Sequence, residues 1–265
     1  MSASGLDIAR MATPNGPGYP DSYYVATATD LVDRPELQES LTADVCVIGG
    51  GFTGLSAALN LAEMGMDVVL LEAERIGFGA SGRCGGLVGT GQRKDVLEME
   101  EAFGYDRSKQ FWQFAEAAKD EIRMRVERHA IDCDLRWGFC ELANTPAQFA
   151  AFKSEQARLA DLGYEHPTRR VGPKDMHQIV ASEVYAGGLL DMGSGHLHPL
   201  KLVLGEARAA ASLGVRLFAT SAPSARSLTR ARNDLTTATL TSASSRARRS
   251  AWTEIPWQAP KSSRP

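Results

Sequence analysis

The chain has 265 residues, 43% of them hydrophobic, with 29 basic and 32 acidic side chains and a net charge of −3. That composition supplies a substantial core and argues against fibrous, membrane and wholly disordered classes. Charge is unevenly placed: residues 219–265 hold eight basic against two acidic side chains, and the acidic remainder speaks against a nucleic-acid partner, which requires clustered Lys and Arg.

Residues 1–43, rich in Pro, Gly, Asp and Ser without a sustained period, read as an arm that packs by Tyr23 and Tyr24 or stays loose. Val45, Cys46, Val47 and Ile48 form a short apolar run ending in glycines, which predicts a strand buried on both faces. A helix follows, with Phe52, Leu55, Leu59 and Ala62 on one stripe and Gly65 at its C-terminal cap. Val68 to Leu71 predict a second strand, closed by Glu72, so the segment is a βαβ unit with a parallel crossover. Residues 95–128 predict one long helix facing inward through Phe111, Phe114, Ala118 and Ile122. A strand at 136–143, a helix at 146–161 and a strand at 184–190 come next. Pro199 opens a helix with Leu200, Val203, Leu204, Ala207 and Ala211 on its buried face; Gly214 ends it, and 215–218 add a parallel strand. From Ala219 onward 32 of 47 residues are Ala, Ser, Thr or Arg and none is Gly or Val, which predicts a disordered tail, not the original continuation of the domain.

The chemistry concentrates at Gly49-x-Gly51-x-x-Gly54, between the first strand and its helix. Gly49 permits the tight turn, Gly51 lets the backbone approach a pyrophosphate, and Gly54 allows close helix–sheet contact. The helix beginning near Phe52 would aim its N–H groups and positive dipole end at the phosphates, so an acidic protein can hold an anionic cofactor without a basic patch. Glu72, 23 positions after Gly49, suits ribose hydroxyls and would repel a 2′-phosphate, disfavouring NADP. This loop alone does not choose between NAD and FAD. A second small-residue stretch, Gly79, Ala80, Ser81, Gly82, Arg83, Cys84, Gly85 and Gly86, supplies backbone closeness for a longer cofactor, with Ser81 offering a hydroxyl and Arg83 a charge-assisted donor.

The segment VCVIGGGFTGLSAALNLAEMGMDVVLLEAERIGFGASGRCGG resembles the N-terminal signature of the D-amino-acid oxidase superfamily of FAD-dependent oxidoreductases. Within that family the chain is most similar to bacterial gamma-glutamylputrescine oxidoreductases, through SYYVATA (22–28) and LLDMGSGHLHPLKL (189–202) as well. The resemblance implies an α/β fold: a Rossmann-like FAD-binding domain with a parallel sheet, plus part of an antiparallel substrate domain. It implies FAD as cofactor, held by Gly49, Gly51, Phe52, Thr53, Gly54, Glu72, Ala73, Ser81, Gly82, Arg83, Cys84 and Gly85, with no catalytic residue assigned. The implied reaction is oxidation of a small-molecule amine. Hydride leaves the carbon bearing nitrogen for flavin, water hydrolyses the imine, and dioxygen or another acceptor reoxidises the cofactor. Cys84 stands where relatives commonly have Asn. Relatives are also much longer, and the C-terminal part that completes their substrate pocket has no counterpart here; the expectation is a C-terminally truncated chain that keeps the adenine-dinucleotide half-site. The alternatives are an inactive fragment of that kind, a D-amino-acid or sarcosine-type oxidase, and an NAD-dependent dehydrogenase.

The expected organisation is an arm over 1–43, an FAD-binding βαβ with its second glycine loop over 44–95, a helical substrate-side insertion over 96–198, a return to the FAD domain over 199–218, and a tail over 219–265. Cys46, Cys84, Cys133 and Cys140 show neither CxxC nor Cys/His ligand spacing, so no zinc site or disulfide framework is predicted and a reducing cytoplasm fits best. No signal peptide or membrane span is legible. His196 and His198 alternate as strand neighbours would, but without a third ligand they predict loop hydrogen bonding, not metal. Surface placement is expected for His129, His166 and His177.

Overall fold

The computed structural model describes residues 18–94 and 98–221, with the backbone alone of 96–97, 228–230 and 238–240. In chain order the elements are α1 (Tyr23–Thr27), β1 (Leu41–Ala43), β2 (Val45–Ile48), α2 (Phe52–Glu63), β3 (Val68–Leu71), β4 (Leu87–Val88), α3 (Val96–Phe103), α4 (Tyr105–Arg128), β5 (Arg136–Ala143), α5 (Pro146–Asp161), β6 (Thr168–Val171), β7 (Gly187–His196), α6 (Pro199–Ser212), β8 (Arg216–Phe218), β9 (Leu228–Arg230) and β10 (Ala238–Leu240). They fall into two compact units, one formed by the chain up to Ser81 and from Glu206 onward, the other by Gly82–Gly205.

The first unit is built on a parallel sheet of order β2-β3-β8, with Val45 opposite Val68 and Leu71 opposite Phe218. Central β3 is buried along its whole length, as its continuous apolar run requires. The sequence expectation for β2 needs correction: it lies at an edge of this sheet, its side chains are only half-buried and Ile48 is 50% exposed. Helix α2 buries Leu55, Ala58 and Leu59 and ends at Gly65, whose φ of +83° lets Gly65 N donate to Ala62 O and Met66 N to Leu61 O, a Schellman stop.

Over its described residues 18–43 the arm packs against the sheet, but not through Tyr23, which is 60% exposed. Val25 and Leu37 are buried instead, Leu37 in a cluster with Ala43, Val69 and Leu71. The arm is tied to the strand end by Ala219 N donating to Pro35 O and Leu37 N donating to the Ser221 hydroxyl. Against the expectation of a disordered tail, the described part of 219–265 holds two short strands. Ser221 N donates to Glu72 O, and further on β10 pairs antiparallel with β1, Leu41 opposite Leu240, while β9 pairs with β10. Strand pairing satisfies backbone groups directly and needs few bulky apolar side chains, which composition does not register. Arg246, Arg248 and Arg249, a basic group in the tail sequence, lie outside the described residues.

The second unit is an antiparallel sheet of order β4-β7-β5, with β6 also pairing with β7. β5 and α5 stand where the sequence put them; α5 opens on a capping box in which Thr145 and Gln148 each accept the other's backbone N–H, with Pro146 at its first position. β7 begins three residues later than expected and runs on to His196, with Val184 left exposed. Its glycines explain the close packing around it, since a Cβ at Gly193 would stand 2.1 Å from the Tyr164 hydroxyl.

The expected single helix over 95–128 is two, broken at Gly104, whose φ of +76° no helix accommodates. The inward face differs as well. Ser108, Trp112, Lys119 and Arg125 of α4 are buried, whereas Phe114 is 73% exposed. The reason is a polar core. Lys119 Nζ donates to Thr90 Oγ1 (2.7 Å) and Gly193 O (3.2 Å) and pairs with Glu116 at 2.8 Å. The Asp191 carboxylate accepts from the hydroxyls of Tyr164 (2.5 Å), Ser194 (2.6 Å) and Thr90 (2.8 Å) and from Gly193 N (2.9 Å). Burial works to raise the Asp191 carboxyl, but these four donors outweigh it and hold it below the ordinary range. Burial and the neighbouring carboxylate push the Tyr164 phenol up, so its proton stays on oxygen.

His196 and His198 do not share a face. His196 ends β7 exposed, whereas His198 is buried before α6, its Nδ1 accepting from Lys201 N at 3.1 Å. The hydrogen-bonding role therefore holds for His198, and the bond requires the neutral ring. Burial first, then the Lys201 charge, lower its pKa from the ordinary value of 6.5. The unfolded chain takes up this proton near pH 6.5, so the contribution to stability is full above that value and is lost as pH falls towards the folded pKa. His198→Asn, which keeps a capping acceptor without titrating, should flatten the decline in urea midpoint between pH 7 and 5; an equally steep decline would contradict the assignment.

Candidate dinucleotide-binding site

The site grows out of the β2–α2 turn. Gly49 N donates to Leu71 O (2.8 Å), which ties the end of β2 to that of β3, and the chain then reverses through φ +104° at Gly49. A Cβ at Gly54 would stand 1.9 Å from Gly49 O, so the first turn of α2 rests directly on the loop and only glycine fits. Gly51 is the N-cap of α2 without a side-chain cap, and a Cβ there would meet the Ser81 Oγ at 2.8 Å. Ser81 Oγ accepts from Phe52 N (3.1 Å), so the second small-residue stretch reaches the start of α2.

Glu72 sits one residue past β3, where its backbone is fixed on both sides: its N donates to Phe218 O (2.8 Å) and its O accepts from Ser221 N (2.8 Å). Its carboxylate accepts from Gly50 N (2.6 Å) through Oε2 and from Glu74 N (2.9 Å) through Oε1. Glu72 thus fixes the glycine loop at the end of β3. The structure brings Gly49, Gly51, Phe52, Gly54, Glu72 and Ser81 together; Thr53 is exposed on α2 and Ala73 half-buried beside Glu72. Gly82 is buried at the end of a short 3₁₀ turn, Ala80–Gly82, and Arg83, Cys84 and Gly85 follow as an exposed stretch of the second unit. Sequence reasoning passed over Gly50, the unspecified position of the motif, whose N–H reaches Glu72 and whose absent Cβ makes room for Ile76 Cδ1 at 2.6 Å. It also passed over Gly77, which donates from N to Gly50 O (2.9 Å). The legible signal for both was the pair of glycines, in GGG and in IGFG.

Among the described residues no helix is long and apolar enough to cross a membrane, and no group of three or more His, Cys, Asp or Glu is placed to hold a metal ion. Cys46, Cys84, Cys133 and Cys140 are all free thiols, and Cys133 is buried. His129 and His166 are half-buried, not superficial, His166 against the Tyr164 ring at 5.3 Å, while His177 is exposed.

A strand, a glycine turn approachable by phosphate, a helix N-terminus and an acid at the end of the next strand define a dinucleotide-binding βαβ unit. Residues 44–247 match the DAO family, described as FAD dependent oxidoreductase, and the chain belongs to that family. The match continues past the change of composition at residue 219. Among curated relatives, gamma-glutamylputrescine oxidoreductase of Escherichia coli (strain K12) is 41% identical over 201 residues, 76% of this chain and 47% of that protein. A probable oxidoreductase, OrdL, of Haemophilus influenzae is 40% identical over 74% of this chain and 46% of its own length. The chain thus spans about half the length of the curated relatives it matches. Among solved structures, L-amino acid deaminase from Proteus myxofaciens superposes with a TM-score of 0.61 at 23% identity, over 78% of this chain and 44% of that one. Glycine oxidase from Geobacillus kaustophilus superposes at 0.51 and 24%, over 67% and 46%. These two support the fold.

FAD is the cofactor of this family, and the residues present fit its ADP half: the N-terminus of α2 carries no side-chain cap at Gly51, and the missing Cβ of Gly54 lets that helix rest directly on the glycine turn.

Proposed function

We propose that the chain binds FAD through Gly49, Gly51, Phe52, Thr53, Gly54, Glu72, Ala73, Ser81, Gly82, Arg83, Cys84 and Gly85, as part of a flavoprotein that oxidises the C–N bond of a small amine. The observation that carries this reading is the double engagement of Glu72, which fixes Gly50 N while its carboxylate stands at the end of β3. When bound, FAD would be held at its pyrophosphate by the start of α2 near Gly51, with the Ser81 hydroxyl, which accepts from Phe52 N, donating a hydrogen bond to a phosphate oxygen, and at its ribose by the Glu72 carboxylate as acceptor. Bound flavin supplies the two-electron oxidation; dioxygen or another acceptor takes the electrons onward. Gamma-glutamylputrescine is the leading substrate, supported by the 41% identity to the enzyme of that name. The proposed organisation keeps 44–95 and 199–218 as the FAD-binding part, 96–198 as the substrate-side insertion, and a cytoplasmic location suited to four free thiols.

A second reading, that this chain binds the dinucleotide without completing the oxidation, is favoured by the edge position of β2 and the exposure of Ile48. Glu72→Ala removes both the tie to Gly50 N and the acceptor offered to the ribose. Loss of a charged acceptor should weaken FAD by about 10- to 150-fold, since such bonds contribute about 1.5–3 kcal/mol. Flavin fluorescence quenching measures it, and an unchanged affinity would exclude Glu72 from the site. Peroxide release with gamma-glutamylputrescine separates the two readings of activity.

A further inference from the structure

The turn after β3 is closed by Phe78 N donating to Arg75 O (2.9 Å), with Gly77 at φ +75°, the left-handed third position of a type II turn. Its central peptide, Ile76–Gly77, is gripped at both ends. The N–H donates to Gly50 O in the glycine loop (2.9 Å), and the C=O accepts from the Tyr19 hydroxyl (2.6 Å). Ile76 itself is buried, with Cδ1 filling the space that a Cβ on Gly50 would need. Flipping that one peptide plane converts a type II turn to type I and would break both bonds together. Tyr19 is held in turn: the Arg75 guanidinium lies 5.7 Å from its ring centroid and pairs with Asp33, and the Gly18 backbone packs on Arg75.

We infer that Tyr19 is a positioning residue for FAD binding: by fixing the Ile76–Gly77 peptide it holds Gly50, and with it the pyrophosphate turn, in the receptive conformation. The inference rests on the reading of this loop as the FAD site. It gives the segment before α1, outside the glycine motif, a part in cofactor affinity. Burial, the main cause, raises the Tyr19 phenol to about 12, so the hydroxyl is a donor throughout the physiological range.

The test is Tyr19→Phe in the full chain, which deletes the hydroxyl and keeps the ring against Arg75. FAD affinity, followed by flavin fluorescence, should fall about 3- to 10-fold, the range expected for one buried neutral hydrogen bond. In the ligand-free protein the amide protons of Gly50 and Gly77 should exchange faster and shift in NMR spectra, while those of Val68 to Leu71 keep their protection. Wild-type affinity, or wild-type exchange at Gly50 and Gly77, would overturn the inference. Faster exchange along β3 as well would also overturn it, by making Tyr19 a general support of the unit. If wild-type protein takes up no FAD, the reading of the site fails instead, and the exchange comparison still decides whether Tyr19 fixes the loop.

Discussion

Gly54→Ala should weaken FAD binding by about 5- to 150-fold, which corresponds to the roughly 1–3 kcal/mol that overpacking costs. The added methyl would lie 1.9 Å from Gly49 O, a backbone atom held in place by the bond from Gly49 N to Leu71 O. Neither side yields cheaply, so α2 must move off the loop and carry its N-terminal amides away from the phosphates. Gly65→Ala is the control, because Gly65, at φ +83°, meets nothing within 4 Å and lies at the far end of α2. It should cost stability and leave FAD affinity near wild type. Equal affinity of the Gly54 variant and the wild type would remove the close contact from the account of the site.

Lys119→Met carries the second large effect, on the stability of the other unit. Lys119 is 4% exposed and is the cation among Glu116, Thr90 and Gly193 O, beside an Asp191 carboxylate held ionised by four donors. Removing one partner of such a group leaves buried charge uncompensated, and a loss of about 3–5 kcal/mol is expected, read as a fall in urea midpoint. Adding Glu116→Gln to Lys119→Met should restore part of the loss by removing the stranded charge. A single-variant loss below about 1 kcal/mol would show the pair to be as weak as a surface ion pair.

The βαβ core was readable because its signals are local and agree with one another. Val68 to Leu71 form a continuous apolar run, Gly65 stops a helix, and Glu72 closes a strand. What escaped the sequence were effects of neighbours far along the chain. Whether the apolar run of β2 is central depends on which strands flank it, so Ile48 was expected inside and is half-exposed. The α4 stripe was chosen by apolar residues, and Phe114 was preferred to Lys119; only Thr90, Asp191 and Tyr164, distant in sequence, make burying a lysine favourable. The break at Gly104 was visible as a lone glycine but outweighed by the charged periodic residues around it. At the site, the motif named the glycines that meet phosphate and passed over Gly50 and Gly77, whose roles are hydrogen bonds to Glu72 and to each other.

The central claim, that this chain holds FAD on the turn from β2 into α2, is tested most directly by equilibrium titration of the purified full chain with FAD and, separately, with NAD. The account predicts saturable, equimolar quenching of flavin fluorescence, abolished or greatly weakened by Gly54→Ala, and no comparable uptake of NAD. Absence of saturation with FAD, or tighter uptake of NAD than of FAD, would contradict it.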